Sequence, residues 1–156
     1  WNPKGGKAKV DFRLKDARIF NIPTNPTDID GQKYYINSIF VIEVAGLCVA
    51  HLGNLNHLLG QETLDRLGRI DVLFIPIGTI GALSPPDAIK VIQQVRPPLV
   101  IPMHFDTTGP NAFAALAKDL FPLKIFNGNH MMLNRKDLPN KTEIMFMIVA
   151  GAPAGE

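Results

Sequence analysis

The sequence predicts an α/β fold built on a mixed sheet, and three observations predict it. In the second half of the chain, buried apolar runs alternate with helical segments, as parallel strands joined by crossover helices do. In the first half, strands are separated by short turns, which reads as antiparallel hairpins. The 156 residues, 46% hydrophobic and 19% charged, suffice for one folded domain or a piece of a larger one.

Residues 9–14 (KVDFRL) alternate polar and apolar and predict a half-buried strand. Residues 17–22 predict a second. A loop is expected over 22–32 (IPTNPTDIDGQ), because Pro, Asn, Asp and Thr are dense there. A strand over 34–44 turns at Gly46 into 47–51 (LCVAH). Residues 61–68 predict a helix ending at Gly68, and 71–77 a buried strand. Ser84 caps a helix over 85–95 whose first turn holds Pro85 and Pro86, with Ala88, Ile89, Ile92 and Val95 on one side. A strand over 98–103, a helix over 110–119 and strands over 122–126 and 143–150 complete the expectation.

Composition excludes several function classes. One cysteine rules out a disulfide scaffold and a Cys-rich zinc module. Charged residues interrupt every apolar stretch before it reaches the roughly 18–20 residues of a membrane span. No signal-type segment opens the chain, and a start at Trp1 suggests a fragment or processed chain. The compartment stays open between cytoplasm, slightly favoured, and periplasm. Residues 1–20 hold six basic residues against Asp11 and Asp16. With Phe12 alone interleaved among those basic residues, that segment reads as a solvated edge strand and not as a nucleic-acid surface.

Chemistry is expected at strand ends, where an open α/β sheet gathers its ligands. His51-Leu52-Gly53-Asn54 follows one strand and Pro102-Met103-His104-Phe105 another. The Gly78–Gly81 turn follows a third and is expected beside a ligand or simply as a tight turn. His57 and His130 read as structural or surface residues, Cys48 as a buried thiol, and Asp71 as structural. Asp106, two residues past His104, is a candidate to orient that histidine or to bind substrate.

These residues carry a resemblance. The runs NSIFVIEVAGLCVAHLGNLNHLL and LGRIDVLFIPIGTIGALSPPDAIKVIQQVRPPLVIPMHF resemble the C-terminal half of a metallo-β-lactamase-fold hydrolase, closest to the ascorbate-6-phosphate-lactonase-like branch. The resemblance spans roughly residues 9–127. It implies one half of an αβ/βα sandwich, a mixed sheet with helices on one face, with metals in the cleft between two halves. It implies that His104 matches the family's final histidine ligand and that Asn54 stands where the family bridges its metals with Asp. His51 becomes a third candidate ligand or a supporting residue. The loop around Asn25 and Asp28 falls where a middle histidine ligand is usual, and none is present. The family's His-x-His-x-Asp-His cluster is absent too.

Two functions follow as expectations. One is hydrolysis of a small-molecule lactone, ester or phosphoester with zinc, manganese or iron, using Asn54, Asp106 and His104 and a first half from elsewhere. The other is a non-catalytic assembly subunit with a decayed metal site. In both, a partner covers the exposed sheet face: an N-terminal half-domain, another chain or a second copy.

Overall fold

The computed structural model describes residues 7–29, 31–78, 81–105, 109–128 and 130–148. The chain runs β1 (Asp11–Leu14), β2 (Ala17–Ile29), β3 (Gln32–Val44), β4 (Leu47–His51), α1 (Gln61–Leu67), β5 (Val72–Pro76), α2 (Pro85–Val95), β6 (Leu99–Met103), α3 (Gly109–Ala117), β7 (Leu123–Asn127) and β8 (Glu143–Ile148). A short 3₁₀ turn at Arg135–Asp137 precedes β8. Eight strands form one sheet in the order β1-β2-β3-β4-β5-β6-β8-β7. Pairing is antiparallel from β1 to β4 and parallel from β4 onward, the mixed sheet the sequence predicts.

The expected loop over 22–32 is a correction: β2 continues to Ile29 and β3 begins at Gln32, making one long hairpin. Its tip closes where Asp28 Oδ1 accepts the Gly31 N–H at 3.0 Å. The prolines fit because β1 pairs only with Ala17–Phe20, so beyond Phe20 β2 has an edge with no β1 partner. An edge strand tolerates a residue without an N–H. The ladder with β3 skips Asn25, whose φ of 54° breaks the extended run.

The helix expected over 85–95 forms with those bounds. Ser84 accepts the Asp87 N–H, and Ala88, Ile89, Val91 and Ile92 are buried. Val95 is only half-buried against the core. All three helices contribute to one core, where Leu67, Ile92 and Phe113 pack with Ile39, Ala50, Leu73, Ile75, Val100 and Ile144 from the sheet. Burial of these side chains is the main favourable term in folding.

The opposite sheet face carries no helix among the described residues. Register aligns Ile19, Ile42, Val49, Val72 and Leu99 in one row across five strands. The next row is Phe40, His51, Phe74 and Ile101. Leu133 and Leu138 cover part of this face beside Leu99 and Ile101. Toward β1 it is open: Phe12, level with Ile19, is 54% exposed, and Leu14 is 61% exposed.

At the amino ends of the parallel strands, buried Asp71 joins three of them. Its Oδ2 accepts the Cys48 N–H at 2.8 Å and an Arg69 N–H at 3.1 Å. Its backbone N–H donates to Cys48 and its carbonyl accepts from Leu99. Cys48 is half-buried, not buried as expected, because β4 begins beside the exposed Arg69, whose Nη2 lies 3.7 Å from Sγ. The basic charge near the start is partly paired: Asp11 holds Arg18 in a two-pronged bond, and Glu43 lies 3.6 Å from the same guanidinium.

Candidate functional site

The carboxyl ends of β4 and β6 and the middle of the β2–β3 hairpin lie at one end of the sheet. His51 ends β4 with its ring on the open face, stacked on Phe74 at 6.0 Å between centroids. The Gly53 N–H donates to His51 Nδ1 at 3.1 Å, so the neutral ring carries its proton on Nε2. To bind a metal through Nε2, His51 must give up that bond.

Burial holds the His51 pKa below its ordinary value of 6.5. The unfolded chain therefore takes up a proton that the folded ring resists. The ring adds no penalty above the ordinary value and lowers stability as pH falls through it. His51→Gln is expected to flatten the fall in urea midpoint between about pH 7 and pH 5. An unchanged pH slope in that variant refutes the assignment.

Behind His51 lies a web of asparagines. Asn37 donates from Nδ2 to Thr24 Oγ1 at 2.7 Å and to the Leu52 carbonyl at 3.0 Å. Its Oδ1 accepts the Asn54 N–H at 2.9 Å. Asn25 Nδ2 donates to the Asn54 carbonyl at 2.8 Å. The Asn25 N–H donates to His57 Nε2 at 3.2 Å, while His57 Nδ1 faces the Leu58 carbonyl at 2.8 Å. Both His57 nitrogens are thus engaged and its tautomer is fixed, a structural role. The web ties the hairpin to the β4–α1 connection. Thr24 and Asn37 were not singled out from the sequence, because nothing local marks a strand asparagine that bonds residues fifteen positions away.

Asn54 is exposed and its side chain makes no hydrogen bond among the described residues; its backbone alone is tied. A Cβ placed on Gly81 would sit 3.8 Å from Asn54 Nδ2, so Gly81 lies beside that amide. His104 stands one residue past β6, exposed, with φ 52°. Positive φ at a residue that is not glycine is uncommon and collects at functional sites. The His104 side chain makes no hydrogen bond among the described residues. Asp106 lies outside the described residues.

Register separates these candidates. His51 is level with Phe74 and Ile101, whereas Asn54 and His104 each lie three residues farther along. Two strand spacings put β4 and β6 about 10 Å apart. Among the described residues, no group of three His, Cys, Asp or Glu could hold a metal ion. His104 offers a nitrogen and Asn54 a neutral amide oxygen, so these residues do not fit a complete metal centre.

The Beta-lactamase superfamily domain profile matches residues 3–104. A UPF0173 metal-dependent hydrolase of Thermococcus onnurineus is 34% identical over 110 residues, 69% of this chain and 47% of the relative. A protein of the same description from Opitutus terrae is 36% identical over 84 residues, 51% of this chain and 37% of the relative. The chain spans about half the length of the first of these and less of the second. A Thermotoga maritima structure, described as a Zn-dependent hydrolase of the metallo-β-lactamase superfamily, superposes with TM-score 0.71 at 23% identity. That match covers 92% of this chain and 71% of the other. Igni18, a metallo hydrolase of Ignicoccus hospitalis, matches at TM-score 0.54 and 22% identity over 74% of this chain and 52% of its own.

Proposed function

The chain belongs to the beta-lactamase superfamily, and on that premise we propose that it is the C-terminal half of a metal-dependent hydrolase. One observation carries the reading: the sheet face opposite the helices is apolar yet carries no helix among the described residues. Val72, Leu99 and Ile101 on that face are covered, but toward β1 Phe12, Leu14 and Phe40 are exposed, and an exposed apolar patch marks an interaction site. A second half-domain packed there would complete a two-sheet sandwich and bring its own metal ligands to the edge where His104 and Asn54 stand. The half length relative to the Thermococcus protein supports the same arrangement.

In this reading His104 contributes a nitrogen ligand and Asn54 an amide beside the Gly81 turn. The metal is zinc, manganese or iron, held mainly by residues outside this chain. The reaction is hydrolysis of a small-molecule lactone, ester or phosphoester. Asp106 borders the substrate. A second reading, an assembly subunit whose metal site has decayed, is favoured by the amide at Asn54 and by the engaged nitrogens of His51 and His57.

Mixing this chain with a separately produced N-terminal half-domain of a close relative tests the proposal. Native mass spectrometry is expected to show a one-to-one complex that binds metal and hydrolyses an ester or lactone. A complex without metal favours the assembly reading. A chain that stays monomeric and ignores the half-domain, or that pairs only with itself, overturns the half-sandwich.

A further inference from the structure

A second concave site lies on the helix side of the sheet. A cavity of about 710 Å³ is walled by Phe105, Ala114, Leu123, Ile125, Phe146 and Ile148. Register places Leu123, Ile125 and Phe146 on the same face as buried Ile144, which packs toward the helices. This is the face turned away from the one left open for a second half-domain, so completing the sandwich leaves the cavity accessible.

Three large apolar side chains that ought to be hidden converge here. Ile125 is 66% exposed, Ile148 49% and Phe105 40%. Scattered exposed apolar residues need no explanation, but several around one hollow mark a ligand site. The volume falls within the usual range for small-molecule pockets, roughly 300–1,000 Å³. Phe105 is joined to His104, so one wall is covalently continuous with the end of β6 where the metal ligand is proposed.

The lining also discriminates between ligands. Its polar members are Asn111 and Lys124. Lys124 alternates with Leu123 and Ile125, so its side chain projects to the opposite sheet face, where Nζ lies 2.7 Å from Glu143 Oε2. Among the described lining residues no unpaired cation is left to receive a phosphate or carboxylate. A charged ligand would lose its hydration with nothing to replace it, whereas a hydrocarbon group gains by leaving water.

We infer that this cavity receives a neutral hydrocarbon substituent of the substrate, an aliphatic or aryl group carried beside the hydrolysed bond. The assignment rests on the hydrolase reading for the word substrate, but the cavity and its ligand class stand on the lining alone.

Binding of γ-decalactone, with γ-butyrolactone as the short-chain control, tests it on the 156-residue chain by methyl NMR. Saturable shifts of the Ile148 and Leu123 methyls are expected with the decalactone and none with the butyrolactone. Ile125→Glu, a change at an exposed edge position, is expected to weaken the decalactone at least about tenfold by placing a charge in the apolar wall. Ala114→Trp, which fills the hollow, is expected to do the same. Circular dichroism reports folding of both variants. No shifts with the decalactone, or equal shifts in both folded variants, overturn the inference. Hydrolysis of the same two lactones by the chain paired with its half-domain is read separately. Failure to cleave either one, with binding intact, counts against the hydrolase reading and not against the cavity.

Discussion

Gly53→Ala is expected to lower the unfolding free energy by about 2–4 kcal/mol, a large change for one methyl group. Gly53 has φ +61°, a region an L side chain enters at a cost of roughly 1–2 kcal/mol. The added Cβ would also collide with Asn37 Oδ1 and approach the Ser38 carbonyl to 3.1 Å. The carbonyl belongs to β3 and cannot yield. Asn37 can yield only by surrendering its bonds to Thr24, Leu52 and Asn54. A lost buried hydrogen bond costs roughly 1 kcal/mol, more where a partner is stranded. Gly60→Ala is the control, since nothing lies within 4 Å of its Cβ and its φ is negative. That change, at the N-cap of α1, is expected to cost no more than about 1 kcal/mol. Urea denaturation of the two variants decides. Equal midpoints would show that Asn37 is not a fixed strut.

The same collision reaches the candidate site, because Gly53 sits between His51 and Asn54. A shifted turn moves the Gly53 N–H off His51 Nδ1 and the Asn54 N–H off Asn37. Stability and site geometry at the end of β4 are therefore one property, set by a glycine that packs against a strand asparagine.

Much of this architecture was legible from periodicity. Buried apolar runs gave the parallel strands β5 and β6, and Ser84 with two prolines marked the start of α2. The hairpin over β2 and β3 was misread because Pro23, Asn25 and Pro26 look like loop residues in isolation. They are strand residues only because β2 lacks a β1 partner beyond Phe20 and Asn25 accepts a positive φ. Local sequence does not reveal which edge of a strand is free. Strand ends pointed to His51, Asn54 and His104, but their relative depth did not show. It took the register to place His51 three residues below the level of the other two. The Asn25–His57 and Asn37–Asn54 ties span 32 and 17 residues, so no short-range pattern could announce them.

In the proposed complex with an N-terminal half-domain, Asn54→Asp is expected to tighten metal binding by about tenfold, or roughly 1.4 kcal/mol. The substitution is nearly isosteric. The Asn54 side chain makes no hydrogen bond among the described residues, and the backbone bonds to Asn37 and Asn25 do not depend on it. The residue is exposed, so a new carboxylate there avoids the burial penalty that raises an acid's pKa. What changes is charge: an anionic oxygen replaces a neutral one next to a divalent cation, and zinc sites favour carboxylates over amides. His104→Ala is expected to act in the opposite sense, removing the imidazole nitrogen proposed as a ligand. Neither variant is expected to change the unfolding free energy by more than about 0.5 kcal/mol, because neither side chain is buried. A competition titration with a chelator reads the affinities. If Asn54→Asp leaves metal affinity unchanged while His104→Ala weakens it, the ion sits away from β4, and Asn54 owes its position to the asparagine web alone.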